Sequence, residues 1–424
     1  MRSYLRRVVD NELDELMSHL PAVLLDGPKA VGKTATATQR TRTVVDLTDA
    51  AQRQIARQSP AAVLRDEAPI LVDEWQLAPG TWDAVRRAVD ADGTGGPFIL
   101  TGSAPSPGST MHSGAGRITA VRMRPMTLLE RGAAQPTVSL AGLLNDDAID
   151  VGGRSDLDLP GYAELLLASG FPGLLDLTGR ARRVALDGYL ERIVDRDLPE
   201  FGHNVRHPQT VRSWLAAYAA ATSTTASWET IRDAATSNQA DKPARTTATA
   251  YTEALQRLRI LDPVPGWLPT KNHLHQLTRA DKHHLADPAL AARLVGVDQR
   301  RLLSGQAGAP ALPRDGTFLG ALFESLVALH IRVFAEASEA RVFHLRTAGG
   351  RHEVDLIVER GDGKVVAIEV KLAGAIDDDD VKHLRWLREV IGPDLLDAVV
   401  VTTGPMAHRR EDGVAVVPLA LLGP

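Results

Sequence analysis

Four short apolar runs rich in β-branched residues, Ala22–Leu25, Thr43–Leu47, Ile70–Val72 and Phe98–Leu100, are separated by roughly 20–25 residues of helix-compatible sequence. This spacing predicts an α/β fold with a mostly parallel sheet and crossover helices. Ser103–Gly116 (SAPSPGSTMHSGAG) cannot bury enough surface to fold alone and is expected to be a mobile loop inside that domain. From about 160 to 260 the pattern turns helical, with amphipathic stretches at Gly161–Leu167, Arg182–Leu198 and Thr210–Ala221. Two more helices, Trp228–Ala235 and Thr247–Leu258, flank the polar SNQADKPART and precede an extended stretch, Asp262–Leu268, a pattern that predicts a winged helix-turn-helix. The last block reads as helix Phe318–Ala335, strand Ala340–Leu345, hairpin Glu353–Glu359 and Lys364–Lys371, helix Val381–Ile391 and strand Ala398–Thr402, an αβββαβ order. The expected division is 1–155, 156–205, 206–300 and 310–424: a sheet domain, a small lid-like helical domain, a winged helix and a second α/β domain.

Composition narrows the chemistry. Zero cysteines among 424 residues excludes disulfides, thiolate nucleophiles and Cys-ligated metals. Neither an uncharged apolar run of about 18 residues nor a signal-like N-terminal stretch is evident, so a cytoplasmic protein without a membrane partner is expected. The net charge of -5 argues against a globally basic nucleic-acid coat. Residues 205–282, however, hold ten Lys/Arg and six Asp/Glu, a local +4, and Arg245, Arg257 and Arg259 lie at or near the ends of Thr247–Leu258 as a candidate DNA face. Only eight lysines occur, so a lysine inside a motif stands out.

Two of them sit in Gly27-Pro28-Lys29-Ala30-Val31-Gly32-Lys33-Thr34, a GxxxxGKT loop between the run AVLLD and a helix-compatible stretch. Glycines let backbone N–H groups wrap a polyphosphate without Cβ clashes, Lys33 reaches the β- and γ-phosphates, and Thr34 helps hold Mg²⁺. ATP and Mg²⁺ are therefore the expected cofactors. Ile70-Leu71-Val72 ends in Asp73 and Glu74, which predicts Asp73 in the Mg²⁺ shell and Glu74 as the group that polarises the attacking water. In Phe98-Ile99-Leu100-Thr101-Gly102-Ser103, either Thr101 or Ser103 could sense the γ-phosphate, or the Thr-Gly-Ser could be turn chemistry alone. Arg117 could supply a charge to the γ-phosphate in cis or from a neighbouring subunit of a homo-oligomer, or be solvated surface.

These residues resemble a bacterial and archaeal family of AAA-type P-loop ATPases with a C-terminal domain of unknown function. The likeness runs from Tyr4-Leu5-Arg6-Arg7 through DGPKAVGKT, VDEWQ, FILTGSAP, GRITAVRMRPMTLLE, SGFPGLL (169–175), RDL (196–198), ADPAL (286–290) and LFES (322–325) to EVDLIVE and IEVK. It implies a winged helix in the third part and a restriction-endonuclease-like fold in the last. Lys29 stands where that family commonly has Arg, and the Ser/Gly/Pro loop before Arg117 is unusually long.

In Ala367-Ile368-Glu369-Val370-Lys371, strand alternation puts Glu369 and Lys371 on one face, and the RGDG turn lets Asp355 on the preceding strand pair alongside. Asp355 and Glu369 are the expected ligands of a second Mg²⁺, Lys371 would orient a water for phosphodiester attack, and the resemblance to restriction-endonuclease-like nucleases implies Glu324 from LFES as a further ligand. The other reading is a fold that keeps this charge network and cuts nothing. Asp377–Asp380 reads as a helix cap, and His283 and His284 as surface residues beside Lys282. Two functions remain open: an ATPase whose nucleotide state controls a DNA-facing winged helix and nuclease-like domain, or a nucleotide-dependent switch or scaffold that binds protein partners.

Overall fold

A computed structural model of the chain describes residues 4–92, 97–102, 114–146, 149–200, 208–236, 245–269, 279–303 and 316–424. The four apolar runs form strands β1 (Ala22–Asp26), β2 (Thr43–Asp46), β3 (Ile70–Asp73) and β4 (Phe98–Thr101). A fifth, β5 (Thr119–Arg122), is added at the edge. It escaped the pattern because Thr119 and Ala120 face solvent and only Val121 is buried. The order is β2-β3-β4-β1-β5, every pair parallel. Helices Val9–Leu16 and Lys33–Thr38 pack on one face through Leu13, Ala37, Val23 and Ile99. Helices Ala50–Gln58 and Gly80–Asp92 cover the other through Ala56, Val85, Val72 and Leu100. A parallel sheet covered on both sides needs such apolar strands, and it delivers all its strand ends to one edge. There Asp26, Asp73, Thr101 and Arg122 come together.

The next part is helical: Leu159–Ala168, Gly179–Arg192 continued by a π-helical turn at Ile193–Asp197, Pro208–Ala220, Trp228–Ala234, Arg245–Arg257, Pro288–Val295 and Gln299–Leu303. The segments SGFPG and ADPAL meet at buried Asp287, which accepts from the Ser169 hydroxyl and from the Gly170 and Ala289 N–H groups. After Arg257 the chain turns back on itself through antiparallel bridges at Leu261–Leu285 and Val264–Lys282.

The expected αβββαβ order is present as Gly316–Ala337, Arg341–Arg346, Glu353–Glu359, Val365–Lys371, Lys382–Ile391 and Leu395–Thr402. These strands belong to an eight-stranded sheet in the order Gly153–Arg154, Met406–Arg409, Ala415–Pro418, Leu395–Thr402, Val365–Lys371, Glu353–Glu359, Arg341–Arg346, Gly266–Trp267. Both edges are borrowed from earlier in the chain, and Leu422–Gly423 pairs with Val138–Ser139. The divisions at 155 and 310 are therefore crossed by backbone pairing, and one apolar core runs from Val31 and Met123 to Val401 and Leu422.

Helix Thr317–Ala337 is long and apolar enough to cross a membrane, but it carries Glu324, Arg332 and Glu336, so it is not an uncharged run, and most of it is buried inside the protein. One expectation is corrected. Asp377 accepts from the N–H groups of Asp379 and Asp380, a closed turn, while the helix starts at Lys382 without a side-chain cap.

Candidate functional site

The loop between β1 and helix Lys33–Thr38 is shaped by its glycines. A Cβ on Gly27 would stand 2.2 Å from the Met123 carbonyl oxygen, and the Met123 N–H donates to the Asp26 carbonyl at 2.7 Å. No side chain fits there. Gly32, at φ +106°, starts the helix in a conformation that other residues resist. Buried Arg7 ties the loop from beneath, donating to the carbonyls of Val31 and Arg124 and pairing with Glu130 at 3.0 Å.

Lys33 folds back into the loop, and its ammonium donates to the carbonyls of Gly27 at 2.7 Å and Pro28 at 2.9 Å. Burial pulls its pKa down to about 8, against the opposing pull of Glu74 and Asp26. A buried cation held by neutral carbonyls at a helix N-terminus is arranged to receive an anion.

Asp73 faces the loop from the end of β3. Its Oδ1 accepts from the Thr34 hydroxyl at 2.9 Å and from the Thr101 hydroxyl. These converging oxygens fit a Mg²⁺ ion, which favours hydroxyl and carboxylate ligands. Of the two hydroxyls expected after β4, Thr101 stands at the site, and Ser103 lies outside the described residues. Glu74 takes a left-handed conformation, φ +55°, and its carboxylate accepts from the Gln76 side-chain amide. A Cβ on Gly102 would stand 2.1 Å from Gln76 Oε1, so this glycine makes room for the amide. Gln76 carries no chemical signature in the sequence. Only its place two residues after Glu74 could have suggested it.

Several site residues are placed differently. The side chain of Lys29 turns from the loop to Asp197 at 2.5 Å and Glu200 at 3.6 Å, and the Lys29 carbonyl accepts from Tyr189 Oη. Lys29 thus links the loop to the helical part. Arg117 precedes β5 and pairs with Asp90 at 2.5 Å, at the sheet edge opposite the loop. Arg117 thus stands before the start of β5, while Arg122, at its end, stands beside Asp26. The Arg117 side chain is 42% exposed, in keeping with the solvated-surface alternative.

Other arginines reach the loop instead. Asp26 pairs with Arg259 at 2.6 Å and with Arg122 at 3.5 Å. Arg122 also approaches Asp262 at 3.6 Å, and Asp262 pairs with Arg124 at 2.9 Å and Arg332 at 2.8 Å. Burial alone would raise the Asp262 pKa, but Arg124, Arg332 and Arg122 hold it far below the usual carboxylate range. A continuous ionic path therefore runs from the P-loop through Asp262 to the long helix Gly316–Ala337. Arg259, expected on a DNA face, is spent on this path, which the +4 count over residues 205–282 could not anticipate.

The second carboxylate group lies where the C-terminal helix and sheet meet. Asp355 stands beside a register shift in its pairing with Arg341–Arg346, and its Oδ2 accepts from the Val370 N–H at 2.9 Å. Glu369 and Lys371 share a face as expected, 3.0 Å apart. The centre of the group is taken by Lys282, whose ammonium lies 2.8 Å from Glu324, 3.1 Å from Asp355 and 3.6 Å from Glu353. Lys282 is 1% exposed. Burial would lower its pKa, but Asp355 and Glu324 hold it above the ordinary lysine range. Among the described residues no group of three or more His, Asp or Glu side chains is arranged to hold a metal. Of the expected Glu324, Asp355 and Glu369 set, the first two are thus held by an ammonium that the sequence did not point to. His283 and His284 are also buried, not surface residues, and His283 Nε2 lies 2.8 Å from the Ala226 carbonyl.

Residues 19–131 match the AAA domain family. Residues 159–301 and 319–422 each match a domain of unknown function, DUF8612 and DUF4143. No curated protein matches the chain. Among solved structures, the Walker-type ATPase paby2304 of Pyrococcus abyssi is similar at 17% identity and a TM-score of 0.38, covering 69% of this chain and 98% of its own. The parallel sheet, the GxxxxGKT loop and the family match agree: the chain carries an AAA-type P-loop ATPase domain.

Proposed function

We propose that this protein is a nucleotide-driven switch: ATP, bound with Mg²⁺ at Gly27–Thr34 and hydrolysed there, sets the state of the C-terminal half. The observation that carries the reading is the ionic path Asp26–Arg122–Asp262–Arg332, which starts one residue before the loop. Lys33 would leave its two carbonyls for the β- and γ-phosphates, while the loop's backbone N–H groups hold the remaining oxygens. Thr34 and Asp73 would hold Mg²⁺, whose charge offsets that of the phosphates. Glu74, kept in place by Gln76, would orient and polarise the attacking water, and Thr101 would report on the same point through Asp73.

The helical part reads best as a lid joined to the loop by Lys29–Asp197, and residues 206–300 as a winged helix. The C-terminal block reads as a restriction-endonuclease-like fold. Action on DNA is the finer proposal, with Arg245 and Arg257 as its remaining phosphate contacts and Asp355, Glu369 and Lys371 as its cutting set. Two cations already paired within the chain, Arg259 with Asp26 and buried Lys282 with Glu324 and Asp355, favour the switch on protein partners over that reading.

The test is ATP turnover by the full chain and by Glu74→Gln, with and without duplex DNA. Glu74→Gln is expected to keep ATP binding and to slow turnover by about 10²–10⁴-fold. Unchanged turnover removes Glu74 from this role. Stimulation by DNA with a steep salt dependence would restore the DNA reading over the switch on proteins.

A further inference from the structure

Lys282 is a buried cation with its own electrostatic cage. Its ammonium contacts Glu324, Asp355 and, more distantly, Glu353, all supplied by the C-terminal block, while Lys282 itself comes from the returning strand of the Val264–Lys282 bridge. Glu369 adds a further observation. Its Oε1 pairs with Lys371, while its Oε2 is buried and has no hydrogen-bond partner. A buried carboxylate oxygen without a donor is unfavourable unless something else takes up its lone pairs. Oxygen ligands from two or three carboxylates suit a hard divalent ion, and such an ion and an ammonium cannot share one centre.

We propose that Lys282 is an internal counter-cation that occupies the place of a divalent metal ion and keeps the Glu324–Asp355–Glu369 site closed. This rests on reading those carboxylates as a cation-binding set. The lysine is positioned from outside the block. Lys282 and Val264 exchange both backbone hydrogen bonds, at 2.8 and 2.9 Å, and the Asp262 N–H donates to the His284 carbonyl at 2.9 Å. The Asp262 side chain is in turn the hub of Arg122, Arg124 and Arg332, of which Arg122 also reaches Asp26 beside the P-loop. Displacing this pair of segments withdraws the ammonium and leaves a net-negative oxygen cage, which takes a divalent ion.

The test is the number of Mn²⁺ ions bound per full-length chain without nucleotide, measured by the loss of free-Mn²⁺ EPR signal. The wild type is expected to bind none at this site, Lys282→Ala to bind one, and Lys282→Ala/Asp355→Asn to lose it. A wild type that already binds Mn²⁺ lost in Asp355→Asn shows a cation site without a lock and overturns the proposal. A cooperatively folded Lys282→Ala chain that binds none shows that the carboxylates are no cation set, which overturns the underlying reading as well. Should Lys282→Ala fail to fold, the charge-balanced Lys282→Met/Glu324→Gln chain, with Asp355 and Glu369 intact, is expected to bind one ion, and binding none overturns the proposal.

Discussion

Lys33 and Lys282 are both withdrawn from water, yet their ammonium groups meet opposite partners. Lys33 donates to two neutral backbone carbonyls and is pulled down to a pKa of about 8 by burial. Lys282 stands among carboxylates and is held above the ordinary lysine range. A buried charge without a counter-charge is an unfinished interaction, and an anion completes it. A buried charge already paired leaves nothing for a ligand to complete, and removing it exposes the partners. The first lysine marks a place that gains by binding a phosphate, and the second marks a place that its own chain has filled.

Replacing each lysine separates the two cases. Lys33→Ala should abolish measurable ATP turnover and strongly weaken ATP binding, while the fold loses little, because its partners are carbonyls that water can satisfy. Turnover near wild type in that variant would remove the loop from its role. Lys282→Ala should do the reverse to stability and lower it by about 3–5 kcal/mol, since carboxylates are left buried without their cation. Chemical denaturation reads this directly, and a change under 1 kcal/mol would mean that the cage is open to water.

A smaller effect sharpens the same contrast through pH. Lys33 has its pKa lowered in the free protein, and a triphosphate at the loop restores it toward 10.5, so ATP binding takes up a proton between about pH 8 and 10.5. The affinity for ATP should therefore fall as pH rises through about 8, by up to tenfold per unit. Lys282, charged in every state below that range, adds no such slope. Calorimetry in two buffers of different ionisation enthalpy checks the proton count, and a count of zero at pH 9 contradicts the assignment.

The first of the two lysines was legible in the sequence and the second was not, for a physical reason. Gly27–Thr34 is a contiguous motif whose partners lie within it: Lys33 bonds to residues five and six positions away. Strands β1–β4 were legible as apolar runs bounded by turns. Lys282 meets Glu324 and Asp355 across 42 and 73 residues, and Arg259 reaches Asp26 from more than half the chain away. Such pairings depend on the packing of separate segments, which local patterns do not encode. Arg117 illustrates the converse, since its nearness to the Ser/Gly/Pro loop in sequence says nothing of the sheet edge on which it emerges. The edge strands Gly153–Arg154 and Gly266–Trp267 are too short to show alternation. Asp355, Glu369 and Lys371 were legible as neighbours, but not the ammonium standing among them.

With only eight lysines in the chain, their titration can be followed residue by residue by NMR of ¹³Cε-labelled lysine, each signal assigned by single Lys→Arg replacement. The account predicts that the Lys33 signal titrates near pH 8 in the free protein and moves upward when ATP is added, while the Lys282 signal stays that of an ammonium throughout the accessible range with or without ATP. A Lys33 that titrates with the exposed lysines and ignores ATP, or a Lys282 that loses its proton alongside them, would contradict it.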